Sequence, residues 1–307
     1  MNLITEKTQS MRDDYLGLSY ASLRNSFLQL DYLTTAGPRL VGLYLIGRSE
    51  NLLAELPSVV AKTPLGDFRF LGGHRLWHAP EALPRTYEPD DSGLTLEETG
   101  TGVMLYGRLE SSTGIQKLMH IELKQDTPAV IIRHTLINHG AWPVELAAWA
   151  ITQFPLGGVA ILPQPTGLSD AAGLLPNRRV ILWPYTRWSD ERLSLDEEYI
   201  FIQGLAKLPP IKIGYANSRG WLGYYRDGVF FCKRIPHYLP DTYPDFGANS
   251  ECFCDNHFLE LESLGPLTRL EPGEALQHIE TWELYPIEDR LSTQDSLIQA
   301  VERLNLG

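Results

Sequence analysis

The chain has 307 residues, of which 43% are hydrophobic and 21% charged, and its formal net charge is −12. Such acidity repels a phosphate backbone, and no cluster of Lys and Arg with interleaved aromatics offsets it, which excludes nucleic acid as an expected partner. The N-terminus lacks the basic-then-apolar pattern of a signal peptide, and no apolar run approaches about 18 residues, so we expect a cytoplasmic protein without membrane contact.

Short runs rich in Val, Ile, Leu, Tyr and Phe recur along the chain, separated by Gly, Pro, Asn or Asp, as is typical of antiparallel strands. The Arg226-Asp227-Gly228 segment predicts a tight hairpin, and strands joined so closely run antiparallel. In chain order, the predicted strands are Phe27–Leu33, Leu40–Ile46, Leu94–Glu98, Val103–Leu109, Ile115–Leu123, Val130–Asn138, Val144–Thr152, Tyr199–Ile202, Trp221–Tyr225, Val229–Lys233, Phe258–Glu262 and Ile279–Leu284.

So many strands predict an all-β fold, a sandwich of two large, mostly antiparallel sheets, organised as a single domain over residues 1–307. Helical periodicity is confined to the C-terminus. There, Ser292 and Asp295 match an S-x-x-D capping box, and apolar residues from Leu297 to Leu304 follow at helical spacing.

The cysteines do not form a recognisable metal or disulfide framework. Cys232, Cys252 and Cys254 are odd in number, which fits a reducing compartment. The C-x-C pair shares one strand face, but no second pair or histidine at finger-like spacing accompanies it. We interpret it as two small core residues, and we expect neither a metal nor a cofactor.

The segment Phe70–Glu81 is the densest candidate for function. Gly72 and Gly73 permit backbone conformations and close approaches that other residues forbid, and we interpret them as part of a binding loop. The alternative is a plain loop with an aromatic plug. The polar and aromatic candidates that follow the glycines are His74, Arg75, Trp77 and His78.

A second candidate is the period-two segment Phe258–Glu262, in which Glu260 and Glu262 share one strand face. On an open surface they are ordinary solvated side chains. In a cleft they repel each other, and partial burial raises the pKa of one of them towards the working range of a general base.

A third candidate is Leu182–Arg192, where aromatic rings lie beside a carboxylate and a guanidinium. This combination suits a sugar, whose C–H patches stack on rings while its hydroxyls need donors and acceptors. The alternative is an aromatic core corner with a surface ion pair. The binding candidates here are Trp183, Tyr185, Asp190 and Arg192. Two more are Trp149, on the predicted strand Val144–Thr152, and Lys212, in a strand-like segment whose facing the sequence does not reveal.

Three segments resemble the galactose mutarotase-like superfamily, related to aldose 1-epimerases. Ala36–Leu43 is similar to the opening strand of these proteins, and His134–Gly140 to their N-x-G hairpin. Phe258–Glu262, followed by Leu270–Glu274, is similar to their glutamate strand and L-x-P-G-E turn. The resemblance implies a β-supersandwich that binds a hexose-like sugar on a concave face, without a cofactor.

The resemblance also implies roles. In these proteins a glutamate takes the proton from the anomeric hydroxyl while a histidine protonates the ring oxygen. Glu260 matches the base best, with Glu262 second; Arg75 resembles the arginine that holds the sugar, and Asp190 suits the aspartate that grips a hydroxyl. The chain departs from the pattern in Ala148–Phe154, which lacks the acid histidine.

His74 or His78 is then the expected acid, and mutarotation of an aldose is the leading hypothesis. A non-catalytic sugar-binding or sensing module is the alternative, using Trp77, Trp149 and Trp183 for recognition. A glycoside hydrolase or lyase is a third hypothesis; it needs two carboxylates about 5–9.5 Å apart, for which Glu260 with either Asp190 or Glu262 is a candidate pair. The sequence leaves open the oligomeric state, and whether the sugar carries a phosphate.

Overall fold

Strands dominate the computed structural model, which describes residues 14–238, 242–287, 291 and 293–306. In chain order, the strands are β1 (Tyr20–Arg24), β2 (Leu28–Leu33), β3 (Arg39–Leu45), β4 (Glu55–Thr63), β5 (Gly66–Gly72), β6 (His74–Ala79), β7 (Thr95–Glu98), β8 (Gly102–Leu109), β9 (Ile115–Leu123), β10 (Ala129–Asn138), β11 (Val144–Phe154), β12 (Val159–Pro163), β13 (Val180–Leu182), β14 (Leu193–Leu195), β15 (Tyr199–Gln203), β16 (Ile211–Tyr215), β17 (Trp221–Arg226), β18 (Val229–Arg234), β19 (Ser250–Cys254), β20 (Leu259–Leu264), β21 (Thr268–Leu270) and β22 (Ala275–Pro286). The helical segments are the 3₁₀ turn Arg85–Tyr87, the short turn Pro244–Gly247 and the C-terminal helix Gln294–Arg303.

These strands form two large antiparallel sheets and one separate hairpin. Sheet 1 has the order β1-β2-β3-β6-β11-β20-β19-β16-β13, and β21 adds to β11. Sheet 2 has the order β14-β15-β12-β17-β18-β22-β10-β9-β8-β7. Strands β4 and β5 pair only with each other. The predicted all-β sandwich of two large sheets is therefore confirmed.

The main core lies between the two sheets. Leu76, Ala148 and Leu261 of sheet 1 and Ile132 and Trp282 of sheet 2 are members of one buried cluster. Because side chains alternate along a strand, their immediate neighbours on sheet 1 project from the opposite face. Cys252 and Cys254 belong to the same core, as the interpretation of the C-x-C pair predicts.

The tight hairpin at Arg226–Gly228 is confirmed. It joins β17 to β18, and both Asp227 (φ 49°) and Gly228 (φ 75°) adopt the left-handed conformation that suits a twisted two-residue turn. All the strands named from the sequence coincide with strands of the structure.

The expected loop at Gly72–Gly73 is wrong. Gly72 ends β5 and His74 begins β6, so the residues after the glycines form a buried strand. The glycines are needed for a close approach: a Cβ on Gly72 would lie 1.9 Å from the Ala54 carbonyl oxygen, and one on Gly73 1.9 Å from that of Leu40.

The C-terminal helix covers the outer face of sheet 2, where Leu297 and Val301 pack in a second cluster with Trp221. Its capping box is formed by Thr293 and Ser296. The predicted box named Ser292, which lies outside the described residues. Within the described part of the chain, no helix combines the length and the apolar character that crossing a bilayer requires.

Candidate functional site

The outer face of sheet 1 gathers most of the candidate residues, and we call it the site face. Across β6, β11, β20 and β19, strand register aligns Arg75 with Ile151, Ile151 with Glu262 and Glu262 with Glu251. The side chains of these strands and β16 that share this face are Arg75, Trp77, Trp149, Gln153, Glu260, Glu262, Glu251 and Lys212. The predicted side-by-side placement of Glu260 and Glu262 is therefore observed.

Glu260 is held through one oxygen only. Arg75 Nη2 donates to Glu260 Oε1 at 3.0 Å, and Gln153 Nε2 donates to the same oxygen at 2.9 Å. The Arg75 guanidinium lies 4.2 Å from the centre of the Trp77 ring and 5.2 Å from that of Phe70, which fixes its plane. The Glu260 side chain keeps 9% of its surface exposed, so it is buried but reachable.

Burial raises the pKa of Glu260 to about 7. The Arg75 guanidinium opposes this effect, and the neighbouring Glu262 carboxylate adds to it. A carboxyl group whose pKa is near 7 can both take and return a proton at physiological pH, which is the property that a general base requires. Perturbed carboxyl groups of this kind cluster at functional sites.

Lys212 forms a second charged centre beside Glu260. Its Nζ lies 2.7 Å from Glu251 Oε2 and 2.9 Å from Glu262 Oε2. The same Glu262 oxygen accepts a 2.7 Å hydrogen bond from Trp149 Nε1. The ammonium also lies 4.7 Å from the centre of the Trp149 ring and 4.6 Å from that of Trp183.

The charges of this centre are strongly coupled. Burial opposes the charge of Lys212, but Glu251 and Glu262 outweigh it and raise the pKa of Lys212 well above its ordinary value. Burial and the nearby Glu262 carboxylate raise the pKa of Glu251, against the opposing effect of Lys212. The centre therefore keeps its ammonium and holds less negative charge than its two carboxyl groups suggest.

Aromatic side chains surround the two centres. The β4–β5 hairpin places Phe68 5.3 Å from Trp77, centre to centre, and Tyr87 lies 4.8 Å from Trp77. The Tyr87 hydroxyl donates to Glu81. On the other side, Tyr185 is 37% exposed and Trp183 half-buried, so this edge of the site is open to solvent.

A pair of hydrogen bonds fixes the segment that carries Trp183 and Tyr185. Thr186 Oγ1 donates to the Lys212 carbonyl oxygen and accepts from the Lys212 N–H, both at 2.9 Å. The structure therefore holds the segment of Trp183 and Tyr185, two of the predicted binding residues, beside Lys212.

The structure does not place His74 and His78 on the site face. They alternate with Arg75 and Trp77 and point between the sheets, where both are buried. His74 bonds to Thr152 Oγ1 at 2.9 Å, and His78 Nε2 to Glu110 at 2.9 Å. The expectation that either supplies the acid was wrong, because alternate side chains of a β-strand point to opposite faces and these two point away from the site face.

Asp190 and Arg192 are likewise absent from the site face. Arg192 is bidentate to Asp190, at 2.9 Å through Nε and 2.8 Å through Nη2. Its remaining donors bond to the carbonyl oxygens of Lys207, Pro209 and Cys254. The expected sugar contact is corrected: these side chains fasten the chain segments around them.

Gln153, Glu251 and Tyr87 belong to the site and were not predicted. Gln153 lies four residues after Trp149 on one strand, so period-two alternation could have placed it on the same sheet face as Trp149. Glu251 stands in a short segment whose facing the sequence does not reveal. Tyr87 is the last residue of the 3₁₀ turn, and only the tertiary structure brings it against Trp77.

The interior offers one geometric candidate for a metal among the described residues. Ligand atoms of His74, His134 and Glu280 lie within 4.8 Å of one another. These atoms already have partners, however: His74 Nε2 and His134 Nε2 are 2.7 Å apart, and the Lys233 ammonium lies 2.9 Å from Glu280. A second cation would meet that ammonium, so the residues do not fit a metal.

Comparison with known proteins gives structural matches only. No family model matches the chain, and no curated protein does. Among solved structures, a galactose mutarotase-like protein from Lactobacillus casei superposes with a TM-score of 0.58 at 12% identity, over 87% of this chain and 100% of that one. A galactose mutarotase related enzyme from Lactobacillus acidophilus gives 0.57 at 8% identity, over 89% and 100%.

A TPR-domain containing protein from Parabacteroides distasonis gives a TM-score of 0.59 at 14% identity over 91% of this chain, which spans about 50% of that longer protein. At such identities the matches establish architecture alone. They show that the chain has the fold of galactose mutarotase-like proteins, which is the fold that the sequence resemblance implies.

Proposed function

We propose that the site face binds a neutral hexose-like sugar and that Glu260 acts as general base in the exchange of its anomers. The observation that carries this proposal is the Glu260 carboxyl group, held through one oxygen by Arg75 and Gln153, with its pKa near 7. The mutarotase-like names among the structural matches agree with it.

The unpaired polar atoms of the site face suit a polyhydroxylated ligand. Arg75 Nε and Nη1 and Trp77 Nε1 are buried donors that make no hydrogen bond with the described residues. Gln153 Oε1 and Glu262 Oε1 are buried acceptors that likewise make no hydrogen bond with the described residues. Since a sugar hydroxyl both donates and accepts, one hexose can satisfy groups of both kinds.

The charges favour a neutral sugar over an anionic one. Two cations of the site face already have partners: Arg75 is paired with Glu260, and Lys212 with two carboxyl groups. A phosphate or carboxylate would bring further negative charge beside Glu260, Glu262 and Glu251, which Arg75 and Lys212 already balance. Among the described residues of the site face, each of these cations therefore already has a carboxyl partner.

In the proposed reaction, Glu260 takes the proton from the anomeric hydroxyl, the ring opens, the C1–C2 bond rotates and the ring recloses. The ring oxygen must gain a proton as it leaves C1. No histidine among the described sheet 1 residues points to the site face, so water supplies that proton. When the ring recloses, the hydroxide takes the proton back from the ring hydroxyl and Glu260 returns its proton to the anomeric oxygen. Without a positioned acid, we expect the rate of anomer exchange to be lower, by a factor on the order of 10²–10⁴, than that of an enzyme with one.

Sugar recognition without catalysis is the second candidate function, and the inward-facing His74 and His78 favour it. The glycoside hydrolase hypothesis loses one of its carboxylate pairs, because Asp190 is bonded to Arg192. Glu260 and Glu262 remain as a pair, but both are engaged in ion pairs.

Saturation-transfer NMR of glucose and galactose tests the proposal by following anomer exchange with wild type, Glu260→Gln and Glu145→Gln. Glu145 is an exposed carboxylate on β11 and serves as the matched control. We expect acceleration by wild type and Glu145→Gln that is lost in Glu260→Gln. Sugar binding without acceleration would favour recognition, and absence of binding would refute both functions.

A further inference from the structure

A buried ion pair lies directly behind the site face, between the two sheets. Lys233 on β18 and Glu280 on β22 both have no exposed surface, and Lys233 Nζ lies 2.9 Å from Glu280 Oε1. Both residues belong to sheet 2, whereas the proposed site lies on the far side of sheet 1. The described reaction uses neither of them.

The Lys233 ammonium reaches across the core to the backbone of sheet 1. It donates to the Ala150 carbonyl oxygen at 3.2 Å and to the Leu261 carbonyl oxygen at 3.0 Å. Ala150 follows Trp149 on β11, and Leu261 lies between Glu260 and Glu262 on β20. One cation thus fastens the two strands that carry much of the site.

Glu280 extends this attachment to the same strand. Its Oε1 accepts a 2.5 Å hydrogen bond from Ser263 Oγ, immediately after Glu262. Its Oε2 accepts a 2.8 Å hydrogen bond from Trp282 Nε1, which orients the carboxylate from its own strand. The carboxylate therefore connects sheet 2 to β20 independently of the Lys233 bonds.

Stability alone gives little reason for such an arrangement. Desolvating two charges is costly, and replacing a buried ion pair with apolar residues of similar volume is often neutral or stabilising. A geometric role is different, since displacing a catalytic group by about 1 Å can cost on the order of 10²-fold in rate. The bonds to Ala150 and Leu261 act at the backbone next to such groups.

We propose that Lys233, together with Glu280, is a positioning residue that ties the backbone of β11 and β20 to sheet 2 and thereby fixes the placement of Glu260. The inference rests on the proposed function for its kinetic readout, but its structural readout does not. Lys233 touches no substrate, because sheet 1 separates it from the site face.

The test compares Lys233→Met and the double variant Lys233→Met/Glu280→Gln with Lys117→Met. Lys117 is also a buried lysine of the sandwich, ion-paired with Glu110, and serves as the matched control. The double variant removes both charges, so no unpaired carboxylate is left in the core and the net charge behind the site is unchanged. It is the deciding variant if Lys233→Met does not fold.

The primary readout is the titration of Glu260 in protein labelled with ¹³C-glutamate, assigned by Glu260→Gln. We expect its midpoint to move by at least about half a pH unit in the double variant and to stay at the wild-type value in Lys117→Met. In anomer exchange, we expect kcat to fall at least about tenfold in the double variant, with a smaller change in KM.

A wild-type protein without anomer exchange would refute the proposed function and leave the NMR comparison to decide the positioning role. If the Glu260 midpoint of the double variant matches those of wild type and Lys117→Met, Lys233 is a structural residue only and the inference is overturned.

Discussion

Arg75 Nη2 and Glu260 Oε1 are 3.0 Å apart although their strands, β6 and β20, are not neighbours. β11 lies between them and contributes Gln153, which bonds to the same oxygen. The carboxyl group is therefore fixed from two strands besides its own. Its protonation must depend on both.

Arg75→Met is expected to raise the pKa of Glu260 above about 7, because the guanidinium is the main group that opposes the effect of burial. Less of the base is then ionised at neutral pH. The pH midpoint of kcat/KM should move upward by roughly one unit or more. Arg75→Lys keeps the charge and should shift it less; equal midpoints in wild type and Arg75→Met would contradict this electrostatic account.

The same carboxyl group predicts a pH dependence of stability. Its pKa of about 7 in the folded protein exceeds the unfolded value of 4.5, so the folded state binds the proton more tightly. Its contribution is full below pH 4.5 and is lost as the pH rises through 7, by about 3 kcal/mol at most. Thermal unfolding between pH 4 and 8 should show a steeper loss for wild type than for Glu260→Gln; parallel curves would argue against the raised pKa.

Lys212→Met should destabilise the fold strongly, because Glu251 and Glu262 would lose the cation that both contact. Breaking one partner of a buried ion pair costs about 3–5 kcal/mol. Lys207→Met is the control: its pair with Glu191 is exposed, and such pairs contribute at most about 1 kcal/mol. Denaturant unfolding of both variants measures the difference, and similar losses would mean that Lys212 is more solvated than its contacts indicate.

Glucose 6-phosphate should bind no more tightly than glucose, because Arg75 and Lys212 already have carboxylate partners. Isothermal titration of the two sugars at one ionic strength checks this. An affinity for glucose 6-phosphate that exceeds that for glucose by about tenfold or more would point to a cation outside the site face, and would overturn the preference for a neutral sugar.

Local patterns in the sequence were sufficient for much of the fold. Alternation identified strands such as Ile115–Leu123 and placed Glu260 and Glu262 on one face, since period two needs no knowledge of partners. It failed for β6, because His74–Ala79 is buried on both faces and shows no polar and apolar alternation. The preceding glycines then suggested a loop.

Long-range partners explain the remaining errors at the site. Asp190 and Arg192 satisfy each other within three residues, but nothing in the sequence distinguishes such a pair from a sugar clamp. Gln153 acquires its role only when β11 lies between β6 and β20. Pairing of distant strands sets these contacts, and single-sequence patterns do not encode it directly.

The two ends of the β4–β5 hairpin are bonded to Gln153, the residue that holds Glu260. Ala54 N–H donates to the Gln153 carbonyl oxygen at 2.9 Å, and Gln153 N–H donates to that of Gly73 at 2.8 Å. Its far end, at Thr63–Gly66, belongs to neither large sheet. An insertion at that tip would therefore leave the pairing of both large sheets unchanged, whereas a change at the junction with Gln153 would be transmitted to Glu260.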